Sequence, residues 1–330
     1  MQEKYIHYPD KLLKIETRQQ VRQLSLYDET GALESKNALK ISKSIERVLN
    51  LNEKGGKYSI EFPPEIEQKV PEKYRAIITK ELSANEVRVL TAIVKMAQEA
   101  RFFGKLKHYE DIERAYFVFS LSELYENSGA KKINGKFNPK QRELIREAIL
   151  NLHRKEFVIP REYLSKDKKT RIKEISISPL VQLHKVQQLE TLSGVKKGTF
   201  FKITIDSVFF DFTKENKNTY FNLPANLNKR LREINTGRPN SGVELFIKCL
   251  YQASHCAKAR TIEYGYQRLS EIMRLERYKE NNNHSRIKKT IEKAFSTAMK
   301  LSIISDWKED MGAYGEKKFI LFLSETDNSK

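Results

Sequence analysis

The chain has 330 residues, long enough for two modest cores and too long for one small one. Its 61 Lys and Arg against 43 Asp and Glu give a formal charge of +18 and a pI of about 9.6, which favours a polyanionic partner, nucleic acid first and an anionic membrane second. The membrane has little support, since the opening MQEKYIHYPDK lacks an apolar signal core and no later run is long enough to span a bilayer, so a soluble cytoplasmic protein is expected.

Residues 1–75 are polar and mixed. Lys14 to Leu26 and Ser35 to Leu51 have scattered helical periodicity, and Gly55-Gly56, Pro63-Pro64 and Pro71 break any continuing helix, so this region reads as a partly helical arm. At Leu82 the signal sharpens. Ser83 and Glu86 form a capping box, and Leu82 and Val87 a hydrophobic staple, opening a helix to about Arg101 with Val87, Leu90, Val94 and Ala97 toward the core. A short strand is expected at Tyr116 to Phe119. A second helix follows, capped by Ser120 with Glu123 at its third position and a Phe119/Leu124 staple. The third runs from Pro139 to Lys155 with a core stripe of Ile145, Ala148, Ile149 and Leu152. Phe157 to Leu164 and Arg171 to Ser178 then make a hairpin whose tip, crowded with Lys166, Lys168, Lys169 and Arg171, suits contact with a nucleic-acid backbone.

Thr199 to Ile205 alternates like a strand, and Asn222 to Ile234 reads as a helix that packs two units together. Ser241 to Cys256 is a helix with Ser241 and Glu244 placed as a capping box. It carries both cysteines, Cys249 and Cys256, which are expected to be buried reduced thiols. Gln267 to Leu275 and His284 to Leu301 are further helices. Ser302 to Trp307 and Lys317 to Leu323 are strands joined through Gly312 and Gly315.

Three helices and a hairpin are thus read twice, and Leu121-Ser122-Glu123-Leu124 matches Leu269-Ser270-Glu271-Ile272. The expected fold class is α+β, two winged-helix domains in tandem after an N-terminal arm. The arm spans residues 1–80, the first winged helix 81–180, a connecting segment with a strand 181–239 and the second winged helix 240–330.

The two third helices differ. In His284 to Leu301, Ile287, Ile291, Ala294, Phe295 and Ala298 form one stripe, while Arg286, Lys289, Lys293, Ser296 and Lys300 form the opposite face. A cationic, hydrogen-bonding face with long side chains is what a major-groove helix needs; the same pattern also suits a solvated basic surface. In Pro139 to Lys155 the outward residues are Lys140, Glu143, Glu147, Leu150 and Arg154. Two carboxylates there repel phosphates, and Leu150 offers apolar surface to a protein partner. The alternative is that Glu143 and Glu147 pair with Arg146 on a solvated face.

No catalytic constellation emerges, and no cofactor or metal is expected. The six histidines include no H-x-H pair for a nicking centre. GAKKINGK at Gly129 to Lys136 departs from a phosphate loop in its spacing and in Phe137, where Ser or Thr should bind magnesium. The pair Cys249 and Cys256 with His255 and His284 lacks zinc-ligand spacing.

VELFIKCLYQASH, then RLSEIMRLERYKENNNHSRIKKTIEKAFSTAMKLSIISDWKE, then KKFILFL resemble the C-terminal winged helix of iteron-binding plasmid replication initiators. ELSANEVRVLTAIVKM resembles the opening helix of that family's N-terminal winged helix. The resemblance implies monomers that bind direct repeats of double-stranded DNA at an origin, dimers that repress their own promoter through the N-terminal unit, and recruitment of host replication initiation proteins or a helicase. It places Arg286, Lys289, Lys293 and Ser296 as the base-reading and groove-lining set. The segment before Glu81 is longer than the family pattern. The rival readings are a winged-helix transcriptional regulator and a helicase-loading interaction protein that does not read sequence.

Overall fold

A computed structural model of the chain describes residues 5–18, 82–109, 114–155, 157–164, 171–194, 196–210, 220–257, 259–275, 278–279, 281–312 and 316–324. It is an α+β arrangement of helices with small antiparallel sheets. No helix among the described residues is long and apolar enough to cross a membrane.

Helix α2, Ala84–Phe102, opens on the expected capping box: Ser83 N donates to the Glu86 carboxylate at 2.6 Å and Glu86 N to the Ser83 hydroxyl at 3.3 Å. The second box, Ser120 with Glu123, starts α3, Leu121–Asn127. Pro at the first turn and the Asn138 side chain start α4, Pro139–Arg154, which buries Ile145, Ala148, Ile149 and Leu152 as its spacing predicts. The following hairpin pairs Phe157–Leu164 with Arg171–Ser178. The GAKKINGK stretch is a two-stranded hairpin, Lys132–Ile133 with Lys136–Phe137, turning on Asn134 and Gly135 at φ 50° and 76°. Positive φ at both central residues is the demand of a tight hairpin, which an Asn-Gly pair meets at little strain.

The strand expected at Tyr116 to Phe119 is longer, Arg114–Ser120, and pairs with Lys196–Asp206. Two unanticipated strands, Lys107–His108 and Val181–Glu190, complete a four-stranded sheet. Helix α5, Leu227–Ile234, starts later than expected because Tyr220–Pro224 is a strand. Then come α6, Ser241–Cys256, α7, Tyr266–Met273, and α8, His284–Lys300, with a three-stranded sheet of Thr261–Gly265, Lys317–Leu323 and Ile304–Met311 in that order. The strand expected from Ser302 begins at Ile304 because the helix exit consumes the intervening residues. Ser302 is left-handed at φ 58°, and Ile303 N donates to Ala298 O at 3.0 Å.

Three expectations fail in the interior. The start of the arm is core: Tyr5–Pro9 (β1) pairs antiparallel with Tyr220–Pro224, and Asp10–Arg18 (α1) buries Leu12, Leu13, Ile15 and Glu16. The pairing partner lies more than two hundred residues away, so nothing local marks it. Ser35 to Leu51 lies outside the described residues. The cap of α6 is not Ser241 but Asn240, whose side chain accepts from Val243 N. Glu244 faces the interior instead. Cys249 is buried as expected, but Cys256 is exposed, because it is the last helical residue and α6 has left the core by then.

The buried apolar residues form one continuous cluster from Ile6 to Leu321. Helix α2 is buried nearly all round, packing on α3 and α4 on one side and on α6, α5 and β1 on the other. Its Arg88 donates through Nε to Glu244 of α6 at 2.7 Å, with both side chains buried. One α6 turn further on, Lys248 Nζ donates to Glu16 at 2.7 and 3.0 Å and to the Tyr8 hydroxyl at 2.8 Å. Burial pushes Lys248 down and Glu16 up, and in each the partner's opposite charge opposes the shift. On the other flank, Lys155 meets Glu86 at 2.5 Å.

Such pairs are held by mutual compensation, since each charge alone would be stranded without water. Lys248→Met should therefore cost about 3–5 kcal/mol in chemical denaturation, and adding Glu16→Leu should recover most of it. A double variant as unstable as the single one would mean that the charges contribute a net attraction.

Candidate nucleic-acid interface

Helix α8 is presented by an aromatic cluster beneath it. Phe295 lies 5.6 Å from Phe246 of α6, 4.9 Å from Trp307 and 5.4 Å from Phe319, between ring centroids. With Ile287, Ile291, Ala294 and Ala298 also buried, the predicted stripe is the packed face. A second support comes from α5. Arg230 donates to Leu301 O at 3.0 Å, and the Asn235 side-chain amide donates to the Thr297 hydroxyl at 3.3 Å. At its other end α5 reaches the α2 region, where the Asn228 amide donates to Arg88 O and Asn127 O at 3.0 and 2.8 Å. This short helix, expected from sequence to pack the two parts together, ties α8 to α2.

Arg286, Lys289, Lys293, Ser296 and Lys300 are all exposed along one side of α8. None of the four cations has a carboxylate partner among the described residues; Lys288, beside them, is 3.9 Å from Glu292. The adjoining hairpin differs. Lys317 meets Glu309 at 2.6 Å, and Lys318 meets Glu263 at 3.1 Å and Asp310 at 3.9 Å. On the strands Lys308 alone is exposed without a carboxylate partner among the described residues, so uncompensated positive charge is concentrated on the helix, an arrangement suited to polyanion contact.

Of the other predicted residues, Lys166, Lys168 and Lys169 lie outside the described residues, as does the side chain of Arg171, which opens its strand. On α4, Lys140, Glu143, Glu147, Leu150 and Arg154 are exposed, Leu150 at 41%. Neither glutamate is ion-paired with Arg146 among the described residues, so the face remains mixed in sign with one apolar centre. No group of His, Cys, Asp or Glu able to hold a metal occurs among the described residues.

Some residues of the site were not anticipated. Tyr278 lies under Arg286, with the guanidinium carbon 5.1 Å from its ring centroid, orienting that side chain across the start of the helix. Thr290 and Thr297 are buried and return their hydroxyl protons to Arg286 O and Lys293 O at 2.8 and 2.7 Å. Asn283 caps α8 by accepting from Arg286 N at 3.3 Å. The triple Asn before His284 is a legible cap signal, whereas the stacking of Tyr278 depends on how the intervening turn folds.

No protein-family model matches the chain, and no curated protein matches it. Among solved structures it is similar to a crystal structure of domains 2 and 3 of RctB, with 11% identity and a TM-score of 0.40, covering 72% of this chain and 81% of that one. It is also similar to a selenomethionine derivative of the same domains, with 10% identity and a TM-score of 0.41, covering 74% and 82%.

Because the cap holds the turn that carries Arg286, Asn283→Ala should lower stability by about 1 kcal/mol. Thermal or chemical denaturation measures the effect, and an unchanged stability would mean that the turn is held by Tyr278 and its neighbours alone.

Proposed function

We propose that the protein is a sequence-specific, double-stranded-DNA-binding replication initiator without catalytic activity, built as two winged helices over residues 81–180 and 240–330. The observation that carries this reading is the exposed face of α8, on which Arg286, Lys289, Lys293, Ser296 and Lys300 stand together with the cations unpaired among the described residues. Such a face can neutralise phosphates and reach base edges from one major groove. The excess of 61 basic over 43 acidic residues and the sequence resemblance to plasmid initiators support it.

In this reading α8 reads bases, and the tip bearing Lys166, Lys168, Lys169 and Arg171 follows the backbone. The α4 face, with carboxylates and Leu150, meets protein, either a second copy in a dimer that represses the promoter or host replication initiation proteins or helicase. A monomer spanning two neighbouring grooves should protect about two helical turns of an asymmetric sequence, and origins would carry it as direct repeats. Footprinting the DNA that flanks the gene tests this. A single palindrome would make the protein a regulator, and salt-sensitive binding without sequence preference would make it a loader.

On the specific site, Arg286→Ala or Lys289→Ala should cost about 1–3 kcal/mol, with a smaller loss on random DNA. Equal losses on both would reduce these side chains to phosphate contacts. Leu150→Glu should weaken dimers in sedimentation while sparing monomer binding to one repeat. A dimer that survives this change would refute the role given to the α4 face.

A further inference from the structure

The four-stranded sheet has one face packed on α2 and α3, where Ala115, Phe117, Phe119, Ile203 and Ile205 are buried. Residues opposite each other across strands share a face, so the pairings define what the other side presents. Lys107 stands opposite Tyr116 and Tyr116 opposite Thr204, and the next row runs Val118, Lys202, Lys185. The row after that runs Ser120, Phe200, Gln187. Val118 at their centre is 50% exposed, while Thr204 at one end is buried and bonded to Tyr109.

The chemistry of this face is selective. Tyr109 joins Tyr116 at 5.1 Å between centroids and is fixed by a 3.2 Å hydrogen bond between its hydroxyl and that of Thr204. Phe200 spreads its ring across Gly198, where a Cβ would come within 3.1 Å of it. Lys202 holds its ammonium 4.1 Å from the Tyr116 centroid, and Lys107 and Lys185 are exposed on either side. The three rows hold no carboxylate. The nearest one on this face, Asp206, is buried and accepts from Val208 N at 3.1 Å.

Partly exposed rings at intervals on a sheet face, with lysines between them and no opposing charge in these rows among the described residues, can stack bases and neutralise the phosphates that join them. A duplex cannot use such rings, because its base faces are already stacked. We propose that this sheet face binds single-stranded DNA, with Tyr116 and Phe200 as stacking platforms and Lys107, Lys185 and Lys202 as phosphate partners. Tyr116 and Phe200 lie one strand and four residues apart, about 14 Å from strand geometry, a span of two or three nucleotides. A base arriving on Tyr116 displaces the Lys202 ammonium, which is then free to meet the adjoining phosphate. The choice of DNA over RNA rests on the proposed function; the stacking surface does not.

Fluorescence anisotropy of the full chain with labelled oligo(dT), oligo(rU) and a duplex tests the proposal. Wild-type protein should bind oligo(dT) more tightly than oligo(rU). Tyr116→Ala and Phe200→Ala should each weaken oligo(dT) binding roughly 5- to 100-fold, Tyr116→Phe should preserve it, and all three should leave duplex affinity unchanged. Lys202→Gln, a surface change that does not threaten folding, should lower the salt slope on oligo(dT) by about 0.7. The proposal is overturned if wild-type protein does not bind oligo(dT), if oligo(rU) binds more tightly, or if the ring variants weaken duplex binding equally. It is overturned too if Lys289→Ala removes oligo(dT) binding, since α8 would then hold both forms. Failure of the duplex reading shows separately, as Lys289→Ala leaving duplex affinity untouched.

Discussion

Everything else in the fold is arranged around the buried charges between α2 and α6. Arg88 meets Glu244, and Lys248 meets Glu16 and Tyr8, at positions where removing one charge strands the other away from water. Charges in such a seam tolerate only one alignment, because any slip along the helices strands a carboxylate or a cation away from water. The seam is also imperfectly satisfied. Arg88 Nη1, Glu244 Oε2 and Arg232 Nε are buried without a partner among the described residues, and burial followed by the nearby Arg88 pushes Arg232 down to about 10. The Glu244 charge opposes that shift, but only Arg88 reaches the carboxylate. The alignment so imposed carries through α5 to the base of α8, whose orientation relative to the rest of the molecule is set by hydrogen bonds to Leu301 and Thr297.

The same seam explains what the sequence could and could not disclose. Helix starts with reciprocal caps at Ser83 and Ser120, the core stripe of α4, the apolar stripe of α8 and the hairpin 157–178 were all legible, since each is written in residues within a few positions of one another. What escaped is what depends on distant partners. Strand β1 and helix α1 look like polar arm until Tyr220–Pro224 and Lys248 are placed against them. Glu244 looks like half of a capping box until Arg88 claims it. Helix α2 shows one apolar stripe but is buried on both sides because other elements flank it on each, and its second side, Arg88 and Thr91 included, is polar in part. Val181–Glu190 alternates poorly because most of it is exposed on both faces.

For the candidate interface, the sequence disclosed the composition of α8 and the structure adds the distribution of compensation around it. Lysines are frequent throughout the chain, so their presence on a helix decides little. Their neighbours decide more. On the strands behind α8, Lys317 and Lys318 are spent on Glu309, Glu263 and Asp310, whereas the helix face keeps its cations unpaired among the described residues.

Two kinds of positively charged surface therefore coexist on one molecule, and they differ in what accompanies the charge. On α8 the cations are joined by Ser296 and project from a rigid convex rod, a shape that enters a groove. On the four-stranded sheet they alternate with Tyr116, Phe200 and Tyr109 on an open surface, a shape that no groove admits but that unstacked bases can lie upon. Helix α8 packs on α6 and the sheet on α2, the two helices that the ionic seam joins, and α5 bonds to both α2 and the end of α8. In the proposed function, a duplex on α8 and a strand on the sheet would rest on two helices that the buried charges tie together, so a seam whose desolvation is unfavourable would join the surfaces proposed for paired and unpaired DNA.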